Sequence, residues 1–166
     1  YTGRMEYGPR ALGNRSILYS AGDISVNDWL NEKLKRSEFM PFAPSTLVEE
    51  AHKCYEGMQG AEDAARFMTI TFDCTEWMRE TCPGVVHVDG TARPQLVHSD
   101  VSPSYHRVIS TYFKATGIPT ILNTSFNMHE EPIVATPEDA VRGFMRAGLD
   151  HLALGPFLAR GVERDG

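Results

Sequence analysis

Apolar positions along the chain recur at two spacings. Tyr105, Val108, Ile109, Tyr112 and Phe113 fall at i, i+3, i+4, i+7 and i+8, with Gly117 just beyond them, and predict a helix opening near Ser102. Thr136-Pro137-Glu138-Asp139 is an N-terminal cap with proline at the first helical position, and Ala140, Val141, Phe144 and Met145 supply a buried stripe that ends before Gly148. Ser25-Val26-Asn27-Asp28 has capping-box form ahead of Val26, Trp29, Leu30 and Leu34, so a helix of about three turns is expected there. Thr75 to Thr81 reads as a short capped turn that Pro83-Gly84 ends.

Strand patterns lie between the helices. Ile17-Leu18-Tyr19 and Ser45 to Val48 are brief strands. Phe67 to Asp73 alternates Met68, Ile70 and Phe72 with Thr69 and Thr71, and Val85 to Asp89 resumes strand character. Thr91 to Val97 is extended, with Pro94 marking an edge or bulge. His151 to Leu154 and Phe157 to Ala159 read as one strand broken at Gly155-Pro156. Ile118 to Asn127 begins apolar and ends in Asn123, Thr124, Ser125 and Asn127, as a buried strand does when it delivers polar groups to a site. Asn and Ser also end strands by making turns, so on composition both readings stand. Strands alternating with helices predict an α/β (α+β) fold with an open mixed sheet.

A chain of 166 residues suits one domain, 1–166. Its net charge of −6 argues against a general nucleic-acid or anionic-membrane surface and makes local clusters of cations more informative. No apolar run approaches a membrane span, so a cytoplasmic setting is expected. Cys54, Cys74 and Cys82 form no CxxC pair and are expected as free thiols. The opening Tyr1-Thr2-Gly3-Arg4 lacks an initiator methionine and suggests a fragment of a longer polypeptide.

The cations stand beside Gly, Pro or Asn in distant segments. Arg10 lies in the glycine-rich loop Glu6 to Ser16, Lys35 and Arg36 at a helix end before Pro41-Phe42-Ala43-Pro44, and Arg93 near a strand terminus. Met with Asn123 and Ser125, they would suit a phosphate-bearing ligand with a planar polar group. Read singly, each is equally a solvated surface charge, and Lys35 and Arg36 also favour a helix dipole. Neither HExxH, GxSxG nor GxxxxGK[ST] occurs, so metalloprotease, serine-hydrolase and Walker-type chemistry have no support.

Four motifs carry a more specific resemblance: Arg4 to Leu18; Leu34-Lys35-Arg36 with Pro41 to Pro44; His87 to Arg93; and Leu122 to Asn127 with Glu131-Pro132-Ile133. In this order they resemble the C-terminal domain of the nodulation and cephamycin type of O-carbamoyltransferase. The resemblance implies a YrdC-like fold that binds carbamoyl phosphate and ATP, the latter with Mg as substrate, and forms carbamoyl adenylate. It places Lys35 and Arg10 as electrostatic catalysts, and Arg10, Lys35, Arg36, Arg93, Asn123, Thr124, Ser125 and Asn127 at the ligand. An N-terminal domain of the same polypeptide would then transfer the carbamoyl group to a small-molecule hydroxyl. It implies no protein-bound metal in this part. Met40 and Ser37 stand where arginines are usual in the family. From other classes, a non-catalytic anion- or RNA-binding module and a purely structural partner of the missing domain stay open.

Overall fold

The computed structural model describes residues 1–34 and 42–161. In chain order these form β1 (Ser16–Tyr19), α1 (Val26–Lys33), β2 (Ala43–Leu47), α2 (Ala51–Cys54), β3 (Phe72–Asp73), α3 (Glu76–Thr81), β4 (Thr91–Ala92), β5 (Gln95–Val97), α4 (Pro103–Thr116), β6 (Thr120–Ser125), α5 (Pro137–Ala147), β7 (His151–Leu154) and β8 (Phe157–Arg160). Four strands make the main sheet in the order β1-β6-β2-β5. β6 is antiparallel to both β1 and β2, whereas β2 and β5 are parallel. The sheet is therefore open and mixed, as expected.

Each face of the sheet has its own core. Leu47, Val97 and Ile121 pack with Tyr105 and Ile109 of α4 on one side. Leu96 and Leu122 turn to the other, against Val26, Leu30 and Leu34, Met78 of α3 and Phe144 of α5. Two helices end as the sequence predicts: Gly117 and Gly148 take positive φ (76° and 58°) past α4 and α5. Thr136 forms the full capping box with Asp139, and Thr75 caps α3 by accepting from the Met78 amide. All three cysteines are buried free thiols. Among the described residues no helix is long and apolar enough to cross a membrane.

Four local expectations are corrected. Ser25 caps nothing; it is in the helical region, and its hydroxyl and amide both donate to Asp23 Oδ1. Phe67 to Asp73 is not one strand: Ala64–Phe67 is a 3₁₀ turn, Met68 is left-handed (φ 55°), and only Phe72–Asp73 pairs, with β4. Val85 to Asp89 likewise forms no strand, because Pro83–Val85 is a 3₁₀ turn and Thr91 donates by amide and hydroxyl to Asp89 Oδ1, closing an Asx turn over Gly90. Alternation favours a strand only where a neighbour offers a ladder. Finally, β7 and β8 are two antiparallel strands of a separate hairpin turning at Gly155-Pro156.

Candidate functional site

The glycine-rich loop before β1 is wrapped around one carboxylate. Glu6 Oε1 accepts from the amides of Leu12 (2.7 Å), Asn14 (2.7 Å) and Arg15 (3.3 Å). The loop's two central arginines then part company. Arg15 is only 3% exposed; its guanidinium donates to Thr2 O (2.7 Å) and Asn14 O (2.9 Å) and lies 3.6 Å from the centre of the Tyr1 ring. Arg10 is exposed, and no hydrogen bond or ion pair to it occurs among the described residues. Gly13 brings the loop against α4: at φ 117°, a Cβ there would lie 2.4 Å from Tyr105 Cδ1, so only glycine fits.

A buried amide network fastens this loop to the sheet. β2 and β6 pair Ala43 with Asn123, and β2 and β5 pair Ser45 with Gln95, so Asn123, Ser45 and Gln95 share one face. Asn123 is 1% exposed. Its Nδ2 faces three acceptors: Ser45 Oγ (3.0 Å), Ala11 O (3.1 Å) and Gln95 Oε1 (3.2 Å). Ser45 Oγ donates to Gln95 Oε1 (2.7 Å), and Gln95 Nε2 donates to Leu12 O (2.8 Å). Three acceptors about Nδ2 fix the orientation of the Asn123 amide, and its buried Oδ1 is left without a partner among the described residues.

Where β6 ends and β2 and β5 begin, a recess of about 80 Å³ opens, lined by Pro9, Arg10, Ala11, Phe42, Ala43, Met68, Arg93, Asn123, Thr124 and Ser125. That is the room of a few waters at ~30 Å³ each. The left-handed Met68 forms part of its wall, an uncommon conformation for a side chain of that size. Arg93 is half-buried, and its Nε is enclosed without a partner among the described residues. Its guanidinium is pulled below the usual arginine range by burial first and by Arg10 second, which places two like charges side by side. Neither forms an ion pair with a carboxylate among the described residues, so the recess carries uncompensated positive charge.

Burial lowers His87 as well, opposed by Asp89 and reinforced by Arg93. Because the Thr91 hydroxyl donates to Asp89, it accepts from His87 Nδ1 (3.0 Å), leaving Nε2 of the neutral ring as an acceptor.

Of the expected ligand residues, the structure brings Arg10, Arg93, Asn123, Thr124 and Ser125 together at this recess. Asn127 does not line it; its Nδ2 donates to Met128 O (2.9 Å) and Glu131 O (3.0 Å), and its Oδ1 accepts from Ser125 Oγ (2.6 Å). Lys35 and Arg36 lie outside the described residues, as do Ser37 and Met40. Sequence reasoning missed Ser45, Gln95, Glu6 and Met68. A polar Ser-Thr pair inside a fully buried strand was the available signal for Ser45, and nothing local marks the others.

The arrangement matches known proteins at two levels. Its fold is shared with full-length HypF, solved in a phosphate- and nucleotide-bound form, at a TM-score of 0.60 and 20% identity over 82% of this chain and 21% of that one. The open mixed α/β fold expected from the sequence is thus one that this domain shares with part of that protein. The sequence then defines the family: a model described as the carbamoyltransferase C-terminus matches residues 1–160, and the chain belongs to that family. Among its relatives are nodulation protein NolO of Bradyrhizobium diazoefficiens, 43% identical over 159 residues, and nodulation protein NolNO of Sinorhizobium fredii, 42% identical over 159 residues. Each match covers 95% of this chain but only 29% of NolO and 23% of NolNO, so the chain spans about a quarter of these relatives' length.

Proposed function

We propose that this domain binds carbamoyl phosphate and ATP and forms carbamoyl adenylate, as part of an O-carbamoyltransferase whose remaining polypeptide passes the carbamoyl group to a small-molecule hydroxyl. The observation that carries the proposal is a pair of opposites in one recess. Among the described residues, Arg10 and Arg93 present positive charge without a carboxylate counter-ion, while Asn123, whose donors are all engaged, keeps an unpaired Oδ1. An anion bearing a planar N–H donor satisfies both at once, and carbamoyl phosphate is such a molecule. The phosphate- and nucleotide-bound form of the fold relative HypF supports this ligand class.

Catalysis on this reading is electrostatic. The guanidiniums neutralise charge on phosphoryl oxygens as water cleaves carbamoyl phosphate to carbamate and inorganic phosphate, and as a carbamate oxygen then attacks the nucleotide's α-phosphorus and pyrophosphate departs. Ser125 and Thr124 hold the planar group beside Asn123. Lys35 supplies the further cation, and Arg36 is assigned to the same ligand. Magnesium enters with ATP as part of the substrate, and the setting is cytoplasmic. The test is carbamoyl-phosphate-dependent exchange of labelled pyrophosphate into ATP by the full-length protein. Exchange should be lost in Lys35→Ala and Arg10→Ala with the fold retained; exchange at the wild-type rate in both would overturn the proposal.

A further inference from the structure

The β7–β8 hairpin stands outside the main sheet, and among the described residues no further strand covers the outer edge of β7. Leu154 faces Phe157 across the Gly155-Pro156 turn, and pairing alternates from there, so Ala153 and His151 turn their backbone groups away from β8. The first residue of the chain already makes a rung on that edge. Tyr1 N donates to Ala153 O (2.9 Å), and Gly155 N donates to Tyr1 O (3.0 Å), which is the parallel pairing pattern with Tyr1 opposite Leu154. Continued backwards, this register sets the residue two before Tyr1 opposite Leu152. The carbonyl of that residue would accept from Ala153 N–H, and its amide would donate to His151 O.

Beside this edge runs a groove of about 460 Å³, bounded also by β1, the other edge strand, and by the start of α4. Ile17, Leu18, Val108, Leu152 and Leu158 make much of its lining. Leu158 is 73% exposed and Val108 49%, a surface that water covers poorly.

We propose that this groove seats the preceding domain of the same polypeptide, which enters through a strand parallel to β7 that continues into Tyr1. The proposal rests on the reading of the chain as the C-terminal part of a carbamoyltransferase. Two observations select this occupant over a second copy: the rung is built by the chain's own first residue, in a fixed direction, and about three quarters of each relative lies outside the matched stretch.

The test uses the unmodified full-length protein. Hydrogen exchange should find the Ala153 amide slowed at least ~100-fold relative to an unprotected amide, and p-benzoylphenylalanine at Leu158 should cross-link within the chain to residues upstream of Tyr1. An Ala153 amide exchanging at the unprotected rate, or a cross-link only to a second copy, would overturn the proposal. Pyrophosphate exchange measured on the same preparation separates the two readings: protection at Ala153 without exchange activity sinks the chemistry and leaves the interface standing, and the reverse outcome sinks the interface alone.

Discussion

Replacing Asn123 by leucine tests whether its amide is held for a ligand or for the fold. In the folded chain the side chain is 1% exposed, Nδ2 faces Ala11 O, Ser45 Oγ and Gln95 Oε1, and Oδ1 has no partner among the described residues. Leucine strands one acceptor, Ala11 O, because Ser45 and Gln95 still bond each other. A stranded buried group costs about 1–3 kcal/mol. Leucine also removes the orphaned Oδ1, which relieves a penalty of the same size, so the net change should be within about 1 kcal/mol of zero. Gln95→Leu offers no such relief. It frees Leu12 O and the Ser45 hydroxyl together and should cost about 2–6 kcal/mol at ~1–3 for each group. Equilibrium urea unfolding of both variants beside the wild type, with midpoint and slope compared, gives the difference directly. Asn123→Leu should keep the wild-type midpoint while losing calorimetric binding of carbamoyl phosphate. Equal destabilisation by the two substitutions would show that Oδ1 is not a liability in the folded state, and the argument for a ligand at Asn123 would fail.

Gly13→Ala sets a Cβ 2.4 Å from the Tyr105 ring at φ 117°, and should lower stability by about 2–4 kcal/mol, read as a fall in Tm by calorimetry. Arg93→Ala relieves repulsion with Arg10, so urea unfolding should move by no more than ~0.5 kcal/mol; in titration calorimetry, affinity for carbamoyl phosphate should fall about 10–100-fold, the loss of one charge-assisted contact. Thr136→Ala removes the capping box of α5 and should cost about 1 kcal/mol in the same unfolding assay. Burial raises all three thiols in the folded state, Cys74 to about 11 and Cys82 to about 12, with Cys54 raised further. Raised folded values mean that their contribution is complete below the unfolded thiol value of ~8.5 and is lost as pH rises through the folded values, at up to about 1.4 kcal/mol per pH unit for each thiol. Unfolding free energies at pH 8, 9 and 10 should decline accordingly, and a flat profile would contradict it.

The helices α4 and α5 and the strand β6 were legible because their signals are local. A 3.6-residue stripe, a Thr-x-x-Asp cap and a terminal glycine act within a few residues, and tertiary packing agreed with each. The same local reasoning failed at Phe67 to Asp73 and at Val85 to Asp89. There the backbone groups found 3₁₀ and Asx turns, and only Phe72–Asp73 met a partner strand. For the candidate site, the sequence supplied the inventory. The polar end of β6 and the unusual cations were visible, and the four motifs pointed to one family.

Tertiary structure decided what each group has left to offer. Arg10 and Arg15 belong to one loop and one residue type, yet Arg15 is consumed by Thr2 O, Asn14 O and the Tyr1 ring while Arg10 faces the recess beside Arg93. Asn123 and Asn127 are four residues apart, yet one lines the recess with an acceptor unpaired among the described residues and the other ties a turn. Those differences depend on which strands are neighbours and in what register, since Ser45, Gln95 and Ala11 reach Asn123 from three distant segments. A sequence determines periodicity through near neighbours; partnership between remote groups is set only when the sheet closes around them.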